Sequence, residues 1–247
     1  MRKIAFFVEG RTELHFVARL LQEVATKDHM YMDLREIRGG GKSGKTARTV
    51  TTIDIKPQMG SERFYALIFD CGSDAQVKTR IAEEHSALTK DGYEVIVGIR
   101  DVRPDYENSQ LAHLRKLLRY GIDKTLTPVM FILPTAEIEA WFLAEHTHFG
   151  RIDPSLTMPQ IQQAIGCDPA TDDMSTRLEP AVDLDKCYRL VGKAYKKSKA
   201  RRTINALDMS LVYVQLVDKI PELNRLVLAI DTFLTPAGNG QAQMAAS

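Results

Sequence analysis

Short apolar runs alternate with helix-like stretches through the first half of the chain. Near-continuous apolar strands are predicted over 4–8, 64–69, 93–99 and 127–133. Apolar residues at helical spacing predict helices after the first strand, from Asp74 to near Lys90, and over 111–120. Apolar strands separated by helices are typical of a mainly parallel sheet that is covered on both faces. The weakly alternating segment 32–37 fits an edge strand.

The pattern changes after Trp141, where strand-like runs nearly vanish and prolines interrupt short segments. Helices are predicted over 184–200, 204–218 and 222–233. We therefore expect an α/β domain over 1–146, a helical C-terminal region with a basic helix over 147–234, and a disordered tail over 235–247.

The opening segment is the most informative part of the sequence. An apolar strand ends at Val8, and Glu9 and Gly10 follow before an amphipathic helix begins. Thr12 suits the N-cap of that helix, and Glu13 in its first turn suits the helix dipole. No such reason explains Glu9 at the end of a buried strand, where open α/β sheets build their ligand sites. Glu9 is therefore the first candidate for chemistry, with a solvated loop acid as the alternative.

Acids also follow two later strands. Asp70 and Asp101 end the strands 64–69 and 93–99, and parallel strands bring their carboxyl ends to one edge. Clustered carboxylates bind Mg²⁺ or Mn²⁺, which polarise phosphate oxygens and generate a nucleophilic hydroxide. Glu139 follows the strand 127–133 and is a further candidate ligand, weakly preferred over Glu137. The alternatives are a turn acid at Asp70 and a charged helix start at Glu139.

Overall charge and cysteine usage set broad limits. The net charge is +1, so a global field toward nucleic acid or membrane is absent, and the three cysteines lack metal-binding spacing. The sequence shows neither a signal-peptide pattern nor a run long enough for a membrane span. We expect a cytoplasmic protein without a membrane partner.

Positive charge is nevertheless concentrated in one segment. Between Lys186 and Arg202 there are eight basic residues and no acid, with Tyr188 and Tyr195 interleaved. Such a helix suits phosphate contacts, and tyrosines suit base stacking. A solvated helix face and a surface for an acidic partner are the alternatives. The candidate nucleic-acid contacts in this segment are Lys193, Lys196, Lys197, Arg201 and Arg202.

A Gly/Lys-rich loop matches a phosphate-binding motif letter for letter. Gly39–Thr46 fits GxxxxGK[ST], but a working P-loop needs a buried strand before it and a helix after it. The preceding strand is charged, and the β-branched residues that follow form helices poorly. A loop that grips substrate phosphates through Lys42 or Lys45 is the preferred interpretation, and a P-loop NTPase is the alternative.

The opening motif resembles that of TOPRIM domains, which occur in topoisomerases, primases and OLD-family nucleases. The residues that carry the resemblance are Val8–Glu13, followed by Phe16 and the pair Leu20–Leu21. The resemblance implies that Glu9 is a catalytic glutamate acting with a later Asp-x-Asp on Mg²⁺. Asp101 matches its first aspartate, whereas Arg103 stands in place of the second, so that Asp105 or Asp70 would have to substitute.

The chain also resembles small stand-alone TOPRIM-like proteins of bacterial anti-phage systems. The shared features are the opening motif, the Gly/Lys loop, the segment Ala136–Leu143 and the segment Tyr195–Lys197. The resemblance implies a nuclease working with a partner ATPase. We therefore expect a Mg²⁺- or Mn²⁺-dependent nuclease for DNA or RNA, with Glu9, Glu13 and Asp101 as catalytic residues. A non-catalytic subunit that binds nucleic acid or protein is the other alternative. The sequence leaves open whether the chain forms a homodimer.

Overall fold

The computed structural model describes residues 1–25, 29–40, 46–55 and 60–235, and within them a six-stranded sheet. The strand order is β3-β2-β4-β1-β5-β6, with β3 antiparallel to β2 and the other neighbours parallel. The strands are β1 (Arg2–Val8), β2 (Met30–Arg38), β3 (Thr49–Ile55), β4 (Phe64–Asp70), β5 (Tyr93–Ile99) and β6 (Val129–Ile132).

Ten α-helices are described, of which three belong to the α/β part and the others follow β6. The first three are α1 (Arg11–Val24), α2 (Asp74–Lys90) and α3 (Leu111–Arg119). The later ones are α4 (Glu139–Ala144), α5 (His148–Ile152), α6 (Met158–Ile165), α7 (Pro180–Arg189), α8 (Arg201–Ala206), α9 (Met209–Val214) and α10 (Pro221–Leu234). The prediction of an α/β fold with a mostly parallel sheet and a helical C-terminal region is confirmed.

Two apolar cores lie on the two faces of the sheet. On one face α2 and α3 cover residues such as Phe7 and Ile96. On the other face α1 and the helices after β6 share a single continuous core. Phe16 of α1 lies at the centre of that core, with ring centroids 5.7 Å from Trp141 and 5.6 Å from Phe142. The C-terminal helices therefore pack against the same side of the sheet as α1.

Several predicted elements are found almost as expected. Two predictions differ from the structure: the N-cap of the first helix and the edge position of the strand 32–37. Helix α2 begins at Asp74 and ends at Lys90, as the spacing predicts. Helix α1 begins at Arg11 after an extended Gly10, so Thr12 is the second helical residue rather than the N-cap. The strand predicted over 32–37 is not at the edge, because β3 pairs with its outer side.

The predicted basic helix over 184–200 is interrupted. Helix α7 ends at Arg189, and Gly192 takes a left-handed conformation with φ of 68°. The Lys193 N–H donates to the Tyr188 carbonyl and the Gly192 N–H to the Arg189 carbonyl, which is a Schellman C-cap. The basic residues beyond it lie in an irregular stretch, in a short 3-10 turn over Lys197–Lys199 and, for Arg201 and Arg202, at the start of α8.

The predicted helix over 204–218 is also divided. It consists of the end of α8, the helix α9 and a 3-10 turn, because Asp208 accepts a hydrogen bond from the Leu211 N–H and caps a new helix. The final helix over 222–233 matches α10 within a residue at each end. The tail predicted from 235 falls, beyond its first residue, outside the described residues.

Among the described residues, every helix is too short or too polar to cross a lipid bilayer.

Gly98 in β5 is the tightest point between the sheet and α2. A Cβ atom there would lie 2.8 Å from Ile81 Cδ1 and 2.8 Å from Phe131 Cδ1. Gly98→Ala is expected to lower the free energy of unfolding by ~1–3 kcal/mol, because the core is overpacked. The exposed Gly150 in α5 has open space around its Cα, so Gly150→Ala is the matched control and should stabilise by up to ~1 kcal/mol. Equal urea midpoints for both variants would contradict this packing.

Candidate metal centre

Three carboxylates meet at the carboxyl edge of the central strands. Glu9, Glu13 and Asp101 each offer one oxygen, and these three oxygens lie within 4.8 Å of one another. Glu9 follows β1, Asp101 follows the adjacent parallel strand β5, and Glu13 lies in the first turn of α1. The parallel pairing of β1 with β5 brings the two strand-end acids together. The chain reversal at Gly10 then brings Glu13 alongside them.

The short turn at Gly10 fixes the third carboxylate. The Gly10 N–H donates to Glu13 Oε2 at 3.0 Å, so this carboxylate satisfies one of the free donors that precede a helix. A Cβ at Gly10 would lie 3.5 Å from the same oxygen, which is ordinary contact. Glu13 is thus both a helix-capping group and a member of the cluster, and its side chain is 4% exposed.

Burial and mutual repulsion make the charged forms of these acids unfavourable. Burial, followed by the charge of Asp74, raises the pKa of Glu9 to about 7. Burial, with the charges of Glu139 and Glu9, raises the pKa of Glu13 to about 8. The pKa of Asp101 is raised well above its ordinary value by burial and by Glu13 and Glu9. Without a cation, the cluster therefore holds protons near neutral pH.

Two further acids border the three central carboxylates. Asp74, the first residue of α2, lies against Glu9 and is 3.7 Å from the Arg100 guanidinium. Glu139, the first residue of α4, is fully buried and accepts a hydrogen bond of 2.7 Å from the Tyr195 hydroxyl. Burial raises the pKa of both carboxyls. The acidic region therefore extends from α2 to α4 across the strand ends.

One lysine lies among these acids. The Lys197 ammonium is 2.8 Å from Glu137 and 3.8 Å from Glu139. Burial disfavours its charge, but Glu139 and Glu137 outweigh that effect and raise its pKa. Lys197 therefore stays protonated and places a positive charge beside the acids that border the cluster.

Buried carboxylate oxygens that have no hydrogen-bond partner show whether a cation fits this site. Asp101 is 3% exposed and Glu139 is fully buried, yet Asp101 Oδ1 and Glu139 Oε2 have no hydrogen-bond partner. Glu9 Oε2 is likewise buried without one. Buried carboxylate oxygens without donors are costly, and hard divalent cations take such ligands. The residues present therefore fit Mg²⁺ or Mn²⁺, with Glu9, Glu13 and Asp101 as ligands and Glu139 at the border.

Asp70 is the last residue of β4, and its carboxylate contacts arginines instead of the other acids. Its carboxylate accepts two hydrogen bonds from Arg38, lies 3.1 Å from Arg11 Nε, and accepts from the Gly72 N–H. It is not among the three grouped carboxylates. Two guanidinium groups and a backbone N–H contact this carboxylate, so Asp70 is an ion-paired acid at the end of β4. Its role as a metal ligand stays a prediction.

Asp105 does not replace the missing second aspartate. Its side chain is 54% exposed and lies 3.1 Å from Arg100. Asp74 instead supplies the fourth carboxylate beside Glu9. One signal in the sequence points to Asp74, namely its place in the first turn of a predicted helix after a strand-end acid, but an ordinary helix start also explains it.

The proposed nucleic-acid contacts are distributed unevenly. Lys196, Arg201 and Arg202 are exposed, whereas Lys193 donates to the Ile152 carbonyl and pairs with Asp153 at 2.6 Å. The two interleaved tyrosines are unavailable for base stacking. Both are buried, with the Tyr188 hydroxyl on Thr203 and the Tyr195 hydroxyl on Glu139.

Part of the Gly/Lys loop falls outside the described residues, including Lys42 and Lys45. The described flanks show β2 before the loop and the strand β3 three residues after Thr46. A P-loop requires a helix at that point, with its N-terminus toward the phosphates. This order of elements weighs against the NTPase alternative.

Comparison of the chain with family models, with curated proteins and with solved structures gives no match.

The raised pKa values give the metal-free protein an unusual pH dependence. Between the ordinary glutamate pKa and about 7 to 8, the folded state keeps protons that the unfolded chain has released. Stability contributed by this cluster is therefore present at low pH and is lost as pH rises through that window. In EDTA, the melting temperature should fall from pH 5 to pH 8.5, and Mg²⁺ should raise it more at pH 8.5 than at pH 5.

Asp101→Asn should raise the melting temperature in EDTA at pH 8.5 and remove the stabilisation by Mg²⁺. Asp105→Asn is the matched control, four residues further along and outside the cluster, and should leave the Mg²⁺ effect unchanged. An equal response of Asp101→Asn and the unmodified chain to Mg²⁺ would contradict the site.

Proposed function

We propose that the protein is a metal-dependent nuclease that hydrolyses phosphodiester bonds of DNA or RNA. The observation that carries the proposal is the group of three carboxylate oxygens formed where Glu9 and Asp101 follow adjacent strands and Glu13 lies in the first turn of α1, together with buried oxygens of Glu9 and Asp101 that have no hydrogen-bond partner. The resemblance of the opening motif to TOPRIM domains supports the same reading of Glu9 and Asp101. The defence-system effector and its partner ATPase belong to this proposal through that resemblance alone.

The division of roles follows from the contacts. Glu9, Glu13 and Asp101 would hold the cation, which when bound neutralises phosphate charge and lowers the pKa of water. Glu139 is held by the Tyr195 hydroxyl, so it offers a fixed carboxylate at the border of the site. Arg100 steadies Asp74 from the opposite side. The two acids that border the cluster are thus each held by a group from another part of the chain.

Lys197 is the residue we assign to the phosphate. Its ammonium keeps its proton and lies beside Glu137 and Glu139, within reach of the same space as the cluster. A fixed positive charge in such a place attracts a phosphodiester and favours the extra negative charge of its transition state. The exposed Lys196, Arg201 and Arg202 on the same stretch would contact flanking phosphates.

The cleavage assay tests the proposal directly. Purified protein is incubated with plasmid, single-stranded DNA and total tRNA in Mg²⁺, Mn²⁺ or EDTA. We expect cleavage only with metal, and Glu9→Gln should reduce it at least ~100-fold with its circular dichroism spectrum unchanged, since a ligand is lost. Asp105→Asn serves as the control. Full activity of Glu9→Gln would remove Glu9 from the mechanism, and salt-sensitive binding without cleavage would favour a non-catalytic subunit.

Lys197 has a matched control two residues away. Lys197→Met keeps the aliphatic stem and removes the charge, whereas Lys199→Met makes the same change at an exposed position of the same 3-10 turn. We expect Lys197→Met to lower kcat at least ~10-fold and Lys199→Met to alter KM only slightly, because one charge touches the site and the other does not. Equal kcat values for the two variants would show that Lys197 is not part of the site.

A further inference from the structure

A polar cavity, separate from the carboxylate cluster, opens at the same edge of the sheet, beside the end of β4. It has a volume of about 270 Å³ and is lined by Arg38, Arg80 and the segments 39–40, 71–73 and 76. We call it the arginine cavity. Among the described residues that line it, two are basic and none is acidic; Arg38 pairs with Asp70 and Arg80 with Glu83, which do not line the cavity. Its wall therefore presents hydrogen-bond donors of positive charge.

Arg80 is the unusual group in this wall. It is 3% exposed, and its guanidinium donates to the Gly39 carbonyl and to Glu83 Oε2. Its Nε is buried and has no hydrogen-bond partner. A buried guanidinium donor without an acceptor is costly, and arginine suits phosphate through its fork of N–H groups. Arg80 thus lines the cavity with a guanidinium that pairs with Glu83 and keeps one unused N–H donor, Nε.

The N-terminus of the seventeen-residue helix α2 opens into the same cavity. Ser73 is the N-cap, and its side chain makes no capping hydrogen bond. The Gln76 N–H donates to the Ser73 carbonyl, and the positive end of the helix dipole, which favours anions, lies at this point. Gly72 and Gly40 let the backbone approach closely, since a Cβ at either would lie 3.2 Å from a guanidinium nitrogen.

We propose that the arginine cavity binds a phosphate group, through Arg80, Arg38 and the first N–H groups of α2. Its position relates it to the carboxylate cluster, because Ser73 lines the cavity and the next residue, Asp74, lies against Glu9. The cavity lies at the ends of β2 and β4, two strand spacings or ~10 Å from the ends of β1 and β5. This is the span of a few nucleotides.

The proposed phosphate site extends the proposed nuclease function. Its role in holding a nucleic acid rests on that function, whereas phosphate binding itself does not. On a nucleic acid, the cavity would hold one backbone phosphate while another reaches the carboxylate cluster. The recognised chemistry is a phosphoryl oxyanion, which a diester within a strand and a terminal or mononucleotide monoester both present. The experiment separates these two sources.

Binding is measured in EDTA by ¹⁵N chemical shifts of the backbone amides of 72–76, so that cation binding and cleavage play no part. The probes are inorganic phosphate, AMP and a thymidine tetranucleotide without terminal phosphates. We expect saturable shifts at these amides. Tighter binding of the tetranucleotide identifies a backbone diester, and tighter binding of AMP identifies a monoester. Shifts confined to the exposed basic stretch 196–202, or none, would overturn the proposal.

Gln76→Glu provides a variant that should fold. Gln76 is half-buried in the first turn of α2, where an acid suits the helix dipole, yet a carboxylate there would repel a phosphate in the cavity. We expect Gln76→Glu to weaken phosphate binding at least ~10-fold without lowering the melting temperature. Gln163→Glu, the same change on the exposed face of α6, should leave binding unchanged. Equal affinities for these two variants would contradict the site.

Because the measurement excludes metal, its result does not depend on whether Glu9→Gln abolishes cleavage. Phosphate binding without nuclease activity would retain the cavity and reject the nuclease. Nuclease activity without phosphate binding would do the opposite.

Discussion

The repulsion among buried carboxylates at the strand ends is the constraint on which the rest of this site depends. Glu9, Glu13 and Asp101 come together because parallel strands and a tight turn leave them no other place. Folding therefore has to supply protons, a lysine or a cation to offset their charge. The raised pKa values, the ion pair of Lys197 with Glu137 and the unsatisfied oxygens are three consequences of the same juxtaposition.

The surrounding fold keeps the carboxylates from moving apart. The Gly10 N–H holds Glu13, Tyr195 holds Glu139, and Arg100 lies beside Asp74. Each of these supporting groups comes from a different part of the chain. A site held in this way is pre-organised, so little side-chain conformational entropy is lost when a ligand that fits it binds.

The sequence predicts much of the fold because the strands are strongly apolar and their helices have clear periodicity. The positions of Glu9 and Asp101 follow from the same reasoning, since parallel strands end at one edge. What periodicity cannot show is where long-range partners lie. Asp70 has the same local pattern as Asp101, but Arg11 and Arg38 come from outside its strand and occupy its carboxylate.

The basic segment shows a second limit of the sequence. Its charge pattern suits one continuous helix, but the left-handed Gly192 ends α7 and sends the chain back toward the sheet. Tyr195 and Lys197 then reach acids more than fifty residues away in the sequence. A glycine within a helical pattern was the only local sign of this reversal.

Helix α1 has one further consequence. Its first turn carries Glu13, while its body packs through Phe16 into the core formed by the C-terminal helices, with α8 and α9 in direct contact. A single helix of fourteen residues thus joins the carboxylates to a distant surface of the molecule. A molecule bound to α8 or α9 would therefore contact the helices that pack directly on α1, which carries Glu13. The C-terminal helices therefore support the carboxylate cluster through their packing on α1.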